Sequence, residues 1–352
     1  MPRPNVLTPP GTSAVSQNIQ EVKLGLNYKW GADPSAPGWR TGPAAYALPQ
    51  SDGWEIEGGG RYFGSVGQFH KDFGNNVGAG QPITSDLSRL NYGDMQTNSG
   101  EFFGRIDTPW NVFVKGYVGG GITNGGNLND EDWVLPLPGE LAAYSDTLSP
   151  AVNGNIAYGA IDAGYDVLRG RDYKVGVFGG YFAFNQQMSA FGCTAIASVN
   201  CTPPVPASGS PVVTENDKWS AVRVGMSAET MLTDRVKLSA DVAYLPWVRF
   251  NDIDQHFVGN TGTLAEIFPA NANGSGVQVE ATLSYYLTPQ WSVGVGGRYW
   301  GLWTSPSGQF NCTFGCAATP TAPQYFRAQV EQLGAFVQTS YRFDWNRLMA
   351  AN

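Results

Sequence analysis

The chain has 352 residues, of which 45 are Gly, 13% are aromatic and only 14% are charged, with a net charge of −8. Soluble domains carry roughly 25% charged residues and about 7% Gly, so part of this surface faces something other than water. Abundant Trp, Tyr and Phe exclude a disordered chain, the absence of a three-residue Gly period excludes collagen, and the acidic balance without a basic patch excludes a nucleic-acid partner.

No stretch approaches the roughly 18 consecutive apolar residues of a spanning helix. A membrane-spanning β-barrel needs only every second residue to be apolar, which reconciles low charge with a mean hydropathy near zero.

In chain order, residues 1–17 are Pro-rich and polar, without the apolar core of a signal peptide, which fits a mature or shortened chain. Val22, Leu24, Leu26, Tyr28 and Trp30 alternate with polar or small residues and read as a strand at 19–30, followed by a Pro-rich linker at 31–52. Alternation returns at 54–70, 87–107, 111–122, 154–168, 173–187, 218–232, 236–244, 277–285, 291–299 and 326–343. It is cleanest where Val277, Val279, Ala281, Leu283 and Tyr285 are followed, across a Thr288-Pro289-Gln290 turn, by Trp291, Val293, Val295, Gly297 and Tyr299.

Connection lengths sort by end. Short turns near Pro109, Gly170, Asp234 and Pro289 alternate with long segments at 124–152, 188–217, 252–276 and 304–325, as in outer-membrane barrels with short periplasmic turns and long extracellular loops. Soluble sandwiches and lipocalin-like barrels do not require this sorting or outward aromatic bands. The expected organisation is an all-β antiparallel transmembrane barrel of ten strands over 53–343, an N-terminal extension 1–52 with one extra strand, and a C-terminal tail 344–352. Counting 19–30 gives eleven strands, whereas bacterial single-chain barrels have even numbers, so either one strand escapes the count or 19–30 lies outside the wall.

Cys193, Cys201, Cys312 and Cys316 fall in the long segments as two close pairs, which suggests two local disulfides in an oxidising compartment. A zinc site is the weaker reading, because His70 and His256 are not spaced as ligands beside them.

Two acidic motifs carry the candidate chemistry. In Asp252-Ile253-Asp254-Gln255-His256 an extended backbone turns Asp252, Asp254 and His256 to one face, and Asp130-Glu131-Asp132 does the same for two carboxylates. Both follow strands rising from short turns, so both belong to the same end of the barrel. Singly, each also reads as a solvated loop, or Asn127–Asp132 as a turn or calcium contact. Unbroken alternation from Val236 and Val112 would place these residues on the lipid face, which is costly for carboxylates. A phase slip is therefore expected near Pro246 and near Gly125-Gly126.

Ser88-Arg89-Leu90-Asn91-Tyr92, the turn at Pro109, Gly125-Gly126-Asn127 with Asp130-Glu131-Asp132-Trp133, and Trp247-Val248 leading to Asp252-Ile253-Asp254-Gln255-His256-Phe257 together resemble the omptins, ten-stranded outer-membrane endoproteases. The resemblance covers roughly residues 54–343. It implies that Asp254 orients His256 as general base on a water held by Asp130 and Asp132, with no metal or other cofactor. It also implies that Asp252 contributes to an acidic pocket for a basic substrate side chain, and that outer-membrane lipid, including lipopolysaccharide, surrounds the barrel. The expected location is the outer membrane of a Gram-negative cell with the site on the extracellular side. A non-catalytic porin, adhesin or structural barrel is the alternative. On either reading, lipid-facing positions are expected to lack charge, and the few acidic residues to gather in loops and at two places on one rim.

Overall fold

The structure is a computed structural model that describes residues 53–344, apart from 75–85, 134–143, 171, 198–200, 202–203, 207–208, 210, 259–261, 306–307, 311–312 and 315–323. The expected strand at 19–30, the linker, the tail beyond 344 and the pair Cys312 and Cys316 lie outside the described residues.

Ten long strands form the wall: β1 (Glu55–Gly74), β2 (Asp86–Asp107), β3 (Val112–Trp133), β5 (Ala151–Arg169), β6 (Tyr173–Phe191), β8 (Pro211–Met231), β9 (Val236–Val258), β10 (Thr263–Tyr286), β11 (Trp291–Thr304) and β13 (Gln324–Asp344). Short strands β4 (Tyr144–Ser149), β7 (Thr194–Ala195) and β12 (Gly308–Phe310) extend the sheet at one end. Each wall strand pairs antiparallel with its neighbours, and β1 pairs with both β2 and β13, which closes the barrel and removes every free edge of the wall. All ten strands expected from alternation are present, and the turns near Pro109, Gly170, Asp234 and Pro289 gather at one end.

The strands are longer than the 9–11 residues that cross a bilayer. Outward apolar side chains such as Tyr62, Val118, Ile161, Tyr181, Val242, Tyr244, Val295 and Val337 form a band in the half nearest the short turns. Beyond it the wall continues as polar strand. The segment 252–276, expected as a long connection, is therefore largely paired strand: β9 and β10 run together with register from Thr263↔Val258 onward. Above a membrane both faces are wet, so apolar alternation fades there while the hydrogen-bonded ladder persists.

The lumen is filled, not open. Trp300 packs against Phe63, Tyr158, Phe182 and Phe184 with ring centroids 5.4–6.1 Å apart, and Trp219 lies 4.2 Å from Phe250. Nearer the turns the interior is ionic: Arg298 bonds Glu101 and Glu280, Lys237 bonds Glu57 and Glu229, and Lys115 pairs with Asp241. Lipid-facing positions lack charge as expected, but the acidic residues are not confined to loops and the rim: many lie inside the wall. A closed wall lets inward positions carry paired charges at the depth of the membrane without presenting them to lipid.

Both expected phase slips are present. At Pro246 the register jumps on both sides of β9, between Gly274/Gly276 on β10 and between Val222/Val224 on β8. Below this bulge the odd residues Ala243 and Leu245 are buried and the even residues Val242 and Tyr244 face outward; above it Val248, Phe250, Asp252 and Asp254 are buried. On β3 the pairing with β2 shifts between Gly93/Gln96 and Gln96/Thr97, opposite Gly125 and Gly126. Gly126 has φ 138° and Asp94 φ 53°. A residue with a Cβ is strained at the first of these, which explains a glycine there.

Candidate active site

Above the two bulges, β3 and β9 face one another across the lumen on opposite parts of the wall. His256 stands ten residues past Pro246, roughly 25 Å higher for a strand tilted as in such barrels, which places it beyond the outward apolar band.

His256 and Asp254 share the inward face of β9. His256 Nε2 lies 3.0 Å from Asp254 Oδ1, Asp254 is fully buried, and the imidazole is 27% exposed. The edge of Phe268 meets the ring at 5.5 Å and 80°, limiting its rotation. Burial alone would lower the imidazole pKa, but the charge and hydrogen bond of Asp254, then the charge of Asp130, raise it to about 9. Burial acts to raise the Asp254 carboxyl, yet Lys71 and His256 hold it down at about 2.

Asp130 and Asp132 project from β3, paired in register with Leu90 and Ser88 of β2. Burial and then the neighbouring charge of Asp132 push Asp130 up to about 7, while His256 opposes the shift. Burial also raises Asp132, against a hydrogen bond from Ser88. The pair thus retains one proton near neutrality, and Asp130 Oδ1 is buried without a hydrogen-bond partner among the described residues. The charges of Asp130 and Asp132 bear on His256 from the opposite part of the wall, so the two sequence motifs share one end of the lumen.

Asp252, expected to receive a basic substrate side chain, is buried and already paired. Lys71 Nζ, reaching from β1, lies 2.5 Å from Asp252 Oδ2, 3.2 Å from Asp254 Oδ2 and 3.2 Å from Glu215 Oε2. Carboxylate oxygens of Glu215, Asp217 and Asp252 lie within 4.8 Å of one another, a donor set suited to a hard cation, and the Lys71 ammonium supplies positive charge there. Sequence reading missed Lys71, Glu215 and Asp217. The available signal was periodicity: Phe69, Lys71 and Phe73 share one face of β1, and Val213, Glu215, Asp217 and Trp219 one face of β8.

Cys193 and Cys201 form a disulfide in the connection between β6 and β8, with Cα atoms 5.5 Å apart. Its neighbourhood is fixed further by the bridge of Cys193 with Val205.

A closed ten-strand antiparallel barrel with an outward apolar band and a filled lumen defines the class of an outer-membrane β-barrel. The omptin family model matches residues 106–305, more than half the chain, and the protein belongs to the omptin family. Among solved structures it is similar to the outer membrane protease OmpT from Escherichia coli, with 15% identity and a TM-score of 0.61, over 85% of this chain and 100% of that one. That likeness is one of fold. Much weaker similarity links it to the toluene transporter TbuX from Ralstonia pickettii (9% identity, TM-score 0.28, 83% of this chain and 90% of that one). The same holds for the toluene transporter TodX from P. putida (10% identity, TM-score 0.26, 86% and 93%). No curated protein gives a significant match.

Proposed function

We propose that the protein is an outer-membrane endopeptidase that hydrolyses peptide bonds with a water molecule activated by His256 and oriented between His256 and the Asp130 and Asp132 pair. The observation that carries this reading is the convergence of the His256–Asp254 pair and the Asp130 and Asp132 pair above the membrane band. Asp254 engages Nε2, so Nδ1 is the nitrogen left to take a proton from water. The carboxyl pair offers both an acceptor, Asp130 Oδ1, and a retained proton to donate to the developing tetrahedral oxygen or leaving amine. Among the described residues of the cleft, no Ser or Cys hydrogen-bonds to the imidazole, which favours direct attack by water over an acyl-enzyme. The long connections at this end support an extracellular mouth, and the apolar band supports a setting in outer-membrane lipid, lipopolysaccharide included.

The alternative of a pore is disfavoured by the aromatic packing of Trp300 and Trp219 across the lumen. Incubation of refolded protein with a mixed-sequence peptide library and a high concentration of an amine acceptor tests the proposal by mass spectrometry. Cleavage that yields only free carboxylate products is expected. Transfer of the acyl fragment to the amine would refute direct water attack, and recovery of every peptide intact would refute the activity.

A further inference from the structure

The acidic pocket beside His256 already contains a cation, and it belongs to the chain itself. Alternation along β1 turns Phe63, Ser65, Phe69, Lys71 and Phe73 into the lumen, so Lys71 interrupts an otherwise largely apolar row. Its ammonium crosses from β1 to β8 and β9 and contacts Glu215, Asp252 and Asp254, with all four side chains fully buried. The Phe73 ring lies 4.9 Å from Nζ, and Asp217, also fully buried, stands beside Asp252. Three clustered carboxylates above the Trp219 and Phe250 rings have the composition of a receptor for one long cationic side chain.

We propose that Lys71 is the specificity-determining residue of this site: it occupies, as an internal ligand, the pocket that an Arg or Lys side chain of a substrate would otherwise fill. The assignment rests on the peptidase reading and narrows its substrate class to peptides cut beside uncharged side chains. An incoming guanidinium would have to share Asp252 and Glu215 with a buried ammonium at contact distance, or expel that ammonium from its contacts with Glu215, Asp252 and Asp254. Either is a repulsive device against basic side chains, and an uncharged side chain meets neither obstacle.

Refolded wild type, Lys71→Met and Lys71→Arg, each checked for folding by heat-modifiable gel mobility, are given a peptide library varied at the residue preceding the scissile bond. Wild type and Lys71→Arg are expected to cut beside uncharged residues, whereas Lys71→Met gains about 30-fold or more in relative preference for Arg and Lys. Wild type cutting chiefly beside Arg or Lys, or an unchanged preference in folded Lys71→Met, overturns the proposal. If Lys71→Met does not fold, the wild-type preference decides alone. Calorimetry with agmatine, a small guanidinium compound, reads the pocket without catalysis. Saturable binding to Lys71→Met and none to wild type is expected, and the reverse overturns it. Agmatine binding by Lys71→Met with no peptide cut by any of the proteins would refute the peptidase reading and leave the pocket assignment standing.

Discussion

Replacing Asp254 by Asn keeps the shape of the side chain and removes its charge, and the consequence for His256 can be worked from the geometry. Two unit charges 3.0 Å apart attract by about 5.5 kcal/mol at an effective dielectric of 20. Burial of the imidazole opposes this. The balance that leaves His256 at about 9 in place of its ordinary 6.5 corresponds to about 3 kcal/mol. A base with that pKa is neutral in roughly one molecule in a hundred at pH 7, and the carboxyl pair loses the proton it donates near 7, so kcat/KM of the wild type should climb about tenfold per pH unit up to about 7, stay level to about 9 and fall above it. In Asp254→Asn the largest raising influence is gone, that of Asp130 remains and burial lowers the imidazole, so the rise should shift to lower pH and the fall should begin near 7. The plateau should fall by roughly 10²–10⁴, because the ring loses its fixed tautomer and the imidazolium its counter-charge. The assay is a pH profile of peptide cleavage on both proteins. A variant profile that stays level between pH 7 and 9 as in the wild type, or a plateau equal to that of the wild type, would refute the coupling of this pair.

Three further outcomes are expected. Asp130→Asn removes a proton-binding group that sits at about 7 and should abolish the step near neutrality in the pH profile while lowering cleavage at least roughly 100-fold; heat-modifiable mobility should show the barrel intact. Trp300→Ala, at the centre of the aromatic filling, should cost about 3–5 kcal/mol, read as a lowered urea midpoint in lipid vesicles. The disulfide closes a short loop of sequence separation 8 and contributes about 2.5 kcal/mol in the chain-entropy account. Cys193→Ser with Cys201→Ser should therefore speed proteolysis of the β6–β8 connection and leave the barrel's own resistance unchanged.

Much of the wall was legible because lipid imposes a strict period of two. Val236 to Tyr244, Val277 to Tyr285 and Trp291 to Tyr299 must place apolar side chains outward, and the structure pairs them as expected. The same rule exposed its own interruption: carboxylates at even positions beyond Pro246 could not stay on the lipid face, and the bulge there turns Asp252 and Asp254 inward. The His256–Asp254 neighbourhood followed from side chains two apart sharing a face. What stayed hidden was of two kinds. Strand beyond the membrane, as in 252–276, carries no apolar alternation because no lipid selects for it, so it read as loop. Contacts across the lumen depend on closure and shear, which local pattern does not encode. Lys71 and Glu215 lie 144 positions apart, and nothing near either one announces the other. The paired charges of the lower lumen, such as Arg298 with Glu101, were invisible for the same reason.

The central claim is that His256, held by Asp254 and facing Asp130 and Asp132, activates water for peptide hydrolysis. Its most direct test is cleavage of a peptide library by the refolded wild type and His256→Ala, both shown to be folded by heat-modifiable mobility. The wild type is expected to cut, and His256→Ala to lose roughly 10²–10⁴ in rate with the barrel unaltered. Equal cleavage by the two proteins, or none by the folded wild type, would contradict the account.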